Sequence, residues 1–464
     1  MSDAETREPG GQLIIVANRL PVHRANGSWT ASPGGLVSAL TPFLKERTGS
    51  WIGWDGSAGA APEPFDFHGI RQIPVPLNAR EVEGYYKGFS NRTLWPLYHD
   101  AVRPPRFEPR WWKPFVDVNR RFAEYTAREA EQGATAWVHD YHLQLVPAML
   151  RKLRPDLRIG FFLHIPFPPQ ELFAQLPWRR QLLEGLLGAD FFACQTELGA
   201  KNFAELAVRY AEAQHVDGKG TLRAGDRLMR YGSLPISIDV AHFHELARRP
   251  EIRERAAEIR HELGEDRKVV LGVDRLDYTK GIDARLRTYG RLLDRGQISP
   301  EQCVLVQTAV PSRTDVLEYM TVREKVERLV GSINGRHGRI GRVAVHYLHQ
   351  NLELEELVPL YLAADVMLVT PLRDGMNLVC KEYVATHVDG GGVLILSEFT
   401  GAAYELEEAL LINPYDEEGM GRAIVRALEM SPEEAERRMA ALRRKVAAHD
   451  VYWWAGEFLS ALKA

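Results

Sequence analysis

The sequence predicts an α/β protein built as two parallel-sheet domains, and three observations carry that expectation. The chain has 464 residues, more than one hydrophobic core supports, because single cores stop growing near roughly 250–300 residues. Apolar, strand-like runs alternate with helical stretches along the whole chain, which is the order that builds parallel sheets. Two such blocks follow one another, with a join near Pro235-Ile236-Ser237-Ile238-Asp239.

In the first block QLIIVANR (12–19), TAWVHD (135–140), RIGFFLHI (158–165) and DFFACQT (190–196) read as buried strands, with helices at 115–132 and 143–153. Ala213 to Met229 is polar and Gly-rich and reads as a loop or hairpin. In the second block the strands are KVVLGVD (268–274), CVLVQTA (303–309), RVAVHYL (342–348), DVMLVTP (365–371) and GVLILSE (392–398), with helices around 282–295, 313–333, 354–363 and 418–429. Residues 430–448 are rich in Glu, Arg and Ala and read as a solvated helix. Asp450–Ala464 reads as a terminal helix packing back on the body. The expected domains are 1–235, completed by 450–464, and 236–449. There are no internal repeats.

Composition narrows the classes of partner. The apolar fraction is 45% and the charged fraction 26%, ordinary for a globular protein. Lys plus Arg total 58 against 62 Asp plus Glu, a net charge of −4, which points to neither nucleic acid nor an anionic membrane. Cys194, Cys303 and Cys380 are far apart and form no CxxC pair, so neither a disulfide framework nor a zinc site is expected and a reducing cytoplasm fits. The N-terminus MSDAETREPGG is polar, lacks the apolar core of a signal peptide and is expected to be disordered. No apolar run approaches the roughly 18 residues that span a bilayer.

Ligands of open α/β sheets bind beyond the carboxyl ends of strands, so the residues that follow each strand are the candidates. The most informative are in VTPLRDGMNLVCKEYVA, Val369–Ala385. A strand ends at Pro371, Arg373-Asp374-Gly375-Met376-Asn377 form a short polar loop, and a helix carrying Lys381 and Glu382 begins near Leu378. A helix start offers unpaired N–H groups and partial positive charge, which suit a phosphate. Asp374 and Glu382 accept hydrogen bonds from sugar hydroxyls. A loop and over a turn of helix separate the two carboxylates, which fits a clasp on two parts of one ligand better than an acid/base dyad. The plain alternative is an acidic loop and a solvated helix face.

After the strand at 268–274 comes Arg275-Leu276-Asp277-Tyr278-Thr279-Lys280-Gly281. Arg offers a planar fork for phosphate oxygens and Lys a mobile point charge, together suited to a diphosphate leaving group. The plain alternative is a pair of surface charges bridged to Asp274 and Asp277. Arg19 ends a buried strand, where a charge calls for an anionic partner. Ser32-Pro33-Gly34-Gly35 lets the backbone approach a phosphate, or is a simple turn, and is not the GxGxxG of a nicotinamide site. WVHDYHL ends a strand at Asp140, flanked by His139 and His142, and FFLHIPFPP ends one at His164. Polar groups at two strand ends favour a cleft over isolated structural residues. No third metal ligand follows nearby. YYKGFSNRTLWP (85–96) is a Tyr- and Trp-rich, loop-like region suited to sugar rings or to a satellite apolar cluster. Arg313 is a further cation, and Gly390–Gly392 a loop.

Taken together these motifs resemble the trehalose-6-phosphate synthase family of retaining glycosyltransferases. The resemblance runs from about Leu13 to the C-terminus and rests on NR, GG before the first helix, WIGWDG, YYKGFSN with LWP, VHDYHL, GFFLHIPFP, DRLDYTKG, PSR and TPLRDGMNLVCKEYVA. It implies the GT-B fold, two Rossmann-like domains with the active site in the interdomain cleft. It also implies transfer of glucose from UDP- or GDP-glucose to glucose-6-phosphate in trehalose biosynthesis. Carried over by motif, Arg275 and Lys280 hold the donor diphosphate, Asp374 and Gly375, Met376, Asn377 and Leu378 hold glucose and phosphate, and Glu382 holds the ribose. Asp140 and His164 contact the donor glucose, with Asp140 also at the acceptor. Arg19, Tyr86 and Arg313 hold the acceptor phosphate, Trp54 and Trp95 line that site, and Gly35 lies in a loop over the donor. Arg275, Lys280, Asp140, His164 and Asp374 form the expected catalytic set.

The N-terminal domain would then bind the acceptor and the C-terminal domain the nucleotide sugar, which is a substrate, so no cofactor and no metal is implied. The join reads PISID where the family usually has Gly at Ser237, and the Gly-rich loop begins Ser32-Pro33. No phosphatase domain follows, so a separate phosphatase is expected downstream. Small molecules are the expected partners, with no nucleic acid or membrane and with self-association left open. No carboxylate nucleophile stands out, which points to front-face displacement. The alternatives are a relative that couples a cyclitol, an inactive sugar-nucleotide sensor and a nicotinamide dehydrogenase. Intact Asp140, His164, Arg275 and Lys280 argue against the sensor.

Overall fold

A computed structural model describes residues 11–25, 28–31, 40, 49–218, 220–311 and 317–463. The expectations for the N-terminal tail, for the Gly34–Gly35 loop and for Arg313 lie outside the described residues. The chain divides into two compact units, Met1–Leu234 with Ala455–Ala464, and Pro235–Trp454.

The first unit is built on one ten-stranded sheet. Its parallel part runs, in spatial order, Arg227–Ser233, Phe191–Cys194, Arg158–Leu163, Thr135–His139, Leu13–Arg19, Gly49–Trp54 and Ile70–Pro74. The antiparallel strands Thr221–Ala224 and Gln214–Asp217 extend one edge and Phe65–Phe67 the other. Leu13 to Asn18 are all buried, because helices cover both faces of a parallel sheet and the strand reads as an apolar run rather than an alternation. Pro109–Glu129 shows the matching helical logic: Trp111, Phe115, Val118, Phe122 and Thr126 are buried, one face at three- and four-residue spacing.

Among the departures of this unit from the sequence reading, two lie beside the candidate site residues. Gly49–Trp54 is a strand beside the central one, unrecognised because Gly and Ser dilute its apolar pattern. Residues 85–96 are helical: Val82–Leu94 form a π-helix that continues as an α-helix over Trp95–Tyr98. A helix with i→i+5 bonds does not show the 3.6-residue period, and Gly84 and Gly88 further disguise it. Those glycines are required by packing, since a Cβ at either would lie 2.6 Å from Pro114 or Trp111.

The second unit holds a six-stranded, all-parallel sheet in the order Val345–Leu348, Cys303–Val310, Lys268–Arg275, Val366–Val369, Val393–Ser397, Leu410–Ile412. Numbered along the chain this is 3-2-1-4-5-6, the Rossmann order. Pro432–Ala448 is a helix with Ala435, Met439, Leu442 and Val446 buried, so one face packs inward and only the other is solvated. The last helix, Val451–Lys463, stacks Phe458 on Trp137, ring centres 4.2 Å apart, inside the first unit. Among the described residues no helix is long and apolar enough to cross a membrane.

Candidate active site

In a doubly wound sheet the connections diverge at one point, and the loops there leave a crevice beyond the strand ends. In the second unit that point lies between Lys268–Arg275 and Val366–Val369. The loops after these two strands are the ones carrying Arg275 to Gly281 and Pro371 to Asn377. They are tied together: Leu372 N–H donates to the Thr279 carbonyl at 2.7 Å, and Lys280 Nζ lies 2.5 Å from Asp374 Oδ2. Both side chains are largely buried, 10% and 14% exposed. Gly281 has φ +65°, and a Cβ there would run into the Thr370 carbonyl, so glycine lets the first loop lie against the second. Arg275 is the exposed last residue of its strand. Asp274 pairs instead with the fully buried Arg285 at 2.7 Å, and Asp277 accepts from Thr279 N and Tyr319 Oη.

The Asp374 carboxylate also accepts from Gly375 N at 3.0 Å and Asn377 Nδ2 at 3.2 Å. The Asn377 side chain caps Cys380 N at 3.1 Å and opens the helix Leu378–Thr386. That leaves the Leu378 and Val379 amides at the helix start, where intrahelical bonding supplies no partner. Gly375 and Met376 are buried in the loop. Glu382 points elsewhere: Tyr361 Oη donates to its Oε2 at 2.7 Å. Burial raises the Glu382 pKa, and the Tyr361 bond opposes that rise. Thus Lys280, Asp374, Asn377 and the helix start form one cluster, with Glu382 separately anchored.

The corresponding divergence in the first unit lies between Leu13–Arg19 and Thr135–His139, whose ends carry Arg19 and Asp140. The Arg19 guanidinium lies 4.4 Å from the Trp54 ring centre and 5.8 Å from that of Tyr86, and Gly56, with φ +99°, leaves room for its head. These aromatic faces are worth about 0.5–2 kcal/mol each to a cation. Tyr86 stacks on His142 at 6.0 Å, His142 packs on Tyr141 at 3.8 Å, and Tyr141 meets Trp95 at 5.6 Å. Arg19, Trp54, Tyr86 and Trp95 therefore belong to one continuous aromatic wall. Asp140 and His164 adjoin it: His164 N donates to Asp140 Oδ1 at 3.3 Å, and Asp140 Oδ2 is 3.9 Å from His142 Nδ1.

Backbone strain marks the same loops. Asp140 has φ 73° and ψ 167°, and Asn377 has φ 85° and ψ 93°. For residues with a Cβ such conformations cost on the order of 1–3 kcal/mol and persist where the surroundings enforce them. Asn119, buried on the helix Pro109–Glu129, helps to enforce the first. Its amide donates to the His142 carbonyl at 3.0 Å and accepts from Leu145 N at 3.1 Å. Asn119 and Tyr361 escaped the sequence analysis, since each acts through a partner distant in sequence. Among the described residues no group of three or more His, Cys, Asp or Glu is placed to hold a metal ion.

The family model of glycosyltransferase family 20 matches residues 11–464. The chain belongs to glycosyltransferase family 20. Within it, the chain is 54% identical to a trehalose-6-phosphate synthase of Mycolicibacterium vanbaalenii, over 99% of this chain and 98% of that one. It is also 54% identical to one of Mycolicibacterium smegmatis, over 100% and 94%. Among solved structures, an α,α-trehalose-phosphate synthase (UDP-forming) from Burkholderia xenovorans in complex with glucose-6-phosphate superposes with a TM-score of 0.91 at 34% identity, over 98% of this chain and 100% of that one. An Escherichia coli structure bound with UDP-2-fluoro glucose gives 0.90 at 34%, over 97% and 99%. Family 20 membership makes the chain a glycosyltransferase, with two Rossmann-like units as in its solved relatives.

Proposed function

We propose that this chain is an α,α-trehalose-6-phosphate synthase that transfers glucose from a nucleoside-diphosphate glucose to glucose-6-phosphate with retention of configuration. The observation that carries the reading is the cluster at the divergence point of the second sheet. Lys280 and the Asp374 loop with its helix start stand together there, and Arg275 ends the strand that leads into the Lys280 loop. The Lys280–Asp374 contact at 2.5 Å joins a phosphate-type group to a sugar-type group. The names of the family 20 relatives support the same assignment, as do the solved relatives with glucose-6-phosphate and a UDP-sugar analogue.

On this reading Arg275, Lys280 and the Leu378 end of the helix hold the diphosphate, Asp374 and the amides of Gly375 to Leu378 hold the glucose, and Glu382 holds the ribose. The Lys280 ammonium has three donors, so it can keep Asp374 in place while turning others to phosphate. In the first unit Arg19 and Tyr86 take the acceptor phosphate, Trp54 and Trp95 shape the acceptor site, and Asp140 and His164 meet the transferred sugar; Arg313, in the sequence of the second unit, and Gly35 are assigned to the acceptor phosphate and the donor by motif alone. The C1–O bond to the diphosphate breaks with its electron pair going to the leaving phosphate oxygen. The acceptor hydroxyl attacks C1 on the same face and passes its proton to that oxygen. Each cation at the leaving group is worth roughly 10²–10³ in rate, the range for oxyanion donors. No metal or cofactor is assigned a part.

A donor-by-acceptor matrix tests this. UDP-, GDP- and ADP-glucose are each offered with glucose-6-phosphate and with other acceptors, nucleotide release is measured, and the product linkage is read by NMR. The expected result is nucleotide release that depends on glucose-6-phosphate and yields an α,α-1,1 linkage. Turnover with a cyclitol acceptor in its place, or with none of the donors, would overturn the assignment.

A further inference from the structure

His139 and His164 stand at the ends of neighbouring strands, and their rings meet through nitrogen: His139 Nδ1 lies 3.0 Å from His164 Nε2. The ring centres are 5.3 Å apart and the planes differ by 25°. That separation exceeds the N···N distance by about two ring radii, so the two nitrogens point at one another in a near-linear hydrogen bond. One of the two must donate and the other accept.

Three facts decide which. Burial holds both imidazoles neutral, lowering the His164 pKa to about 3 and that of His139 well below its ordinary value, so each ring carries one N–H. His139 is completely buried, and its Nε2 has no hydrogen-bond partner. If the His139 proton sat on Nε2, a buried N–H would go unsatisfied, which is rarer in proteins than an acceptor left without a donor. The His139 proton therefore sits on Nδ1 and is donated to His164 Nε2. His164 must then carry its own proton on Nδ1, the nitrogen nearer the backbone, where the Asp140 carboxylate lies against the His164 amide at 3.3 Å and favours an N–H dipole over a lone pair.

We infer that His139 is a positioning residue that fixes His164 in the Nδ1–H tautomer, so that His164 meets the transferred sugar as a hydrogen-bond donor. The sugar contact rests on the transferase reading above; the tautomer does not. A donor there selects an oxygen acceptor on the sugar and disfavours an analogue that lacks it.

The test is long-range proton–nitrogen NMR on protein labelled with ¹⁵N in its 15 histidines, without substrate, the two signals assigned by H164Q and H139F. Both residues are expected as Nδ1–H tautomers in the unsubstituted protein. An Nε2–H tautomer at either would overturn the inference without touching the transferase reading. H139F is expected to release His164 into a tautomer mixture and to lower kcat by about 10–100-fold, the range for partners that orient a ligating histidine. H139N, which keeps a donor, is expected to restore part of the tautomer bias. An H139F protein with wild-type His164 signals and wild-type kcat would equally overturn it. Absence of transferase activity in the unsubstituted protein would sink the transferase reading and leave the tautomer result standing.

Discussion

Asp140→Gly separates strain from chemistry. Asp140 sits at φ 73° and ψ 167°, a conformation costing a residue with a Cβ about 1–3 kcal/mol. Glycine relieves that cost but orders a more flexible unfolded chain, which offsets about 0.5–1 kcal/mol. Among the described contacts, the bond that the carboxylate accepts from His164 N at 3.3 Å is worth about 0.5 kcal/mol at that length. These three contributions alone sum to between about 0.5 kcal/mol of destabilisation and about 2 kcal/mol of stabilisation. Asp140→Ala keeps the strain and loses the same bond, so it should be less stable than the Gly variant by up to about 2.5 kcal/mol, the strain less the glycine entropy offset. Urea unfolding measures both, and nucleotide release should fall by on the order of 10²-fold or more in each, because both lack the carboxylate at the sugar. A Gly variant that lost more than about 2 kcal/mol yet turned over normally would show Asp140 to be structural and refute the reasoning.

Lys280→Met removes the ion pair to Asp374, while Gly375 N and Asn377 Nδ2 still donate to that carboxylate; the expected cost is about 1–3 kcal/mol, below the usual range for a broken buried pair because those donors remain. In thermal scans the variant should also lose the stabilisation that a nucleoside diphosphate gives the unsubstituted protein. Gly281→Ala should cost more than about 2 kcal/mol in urea unfolding, since φ +65° is strained for alanine and the added Cβ meets the Thr370 carbonyl. His139 and His164 have folded pKa values below that of the unfolded chain. Their contribution is therefore full above about pH 6.5 and is lost as pH falls toward about 3 for His164. Between pH 7 and pH 5 His164 should cost about 2 kcal/mol of stability, with His139 acting in the same direction, and H164Q should unfold with a correspondingly shallower pH dependence.

How much of this was legible in the sequence follows from what each element needs. Leu13–Arg19 and Lys268–Arg275 could be read because both faces of the sheet are covered, which writes them as apolar runs. The loops after them were legible for the same reason, since cations and carboxylates stand out where such a run stops. Gly49–Trp54 was not, because its packing uses Trp51, Ile52 and Trp54 amid Gly and Ser. The helix over 82–94 was hidden by its wider turn and by Gly84 and Gly88, whose reason is the approach of Pro114 and Trp111 from another helix. Asn119, Tyr361 and the His139–His164 pair act across 20 or more residues of sequence, and only folding brings their partners within reach.

The most direct measurement is the ¹H NMR spectrum of the product formed from a nucleoside-diphosphate glucose and glucose-6-phosphate. The account predicts a non-reducing disaccharide phosphate with two α-anomeric signals, formed in step with nucleotide release. A β-anomeric signal from the transferred glucose, or nucleotide release that does not depend on glucose-6-phosphate, would contradict it.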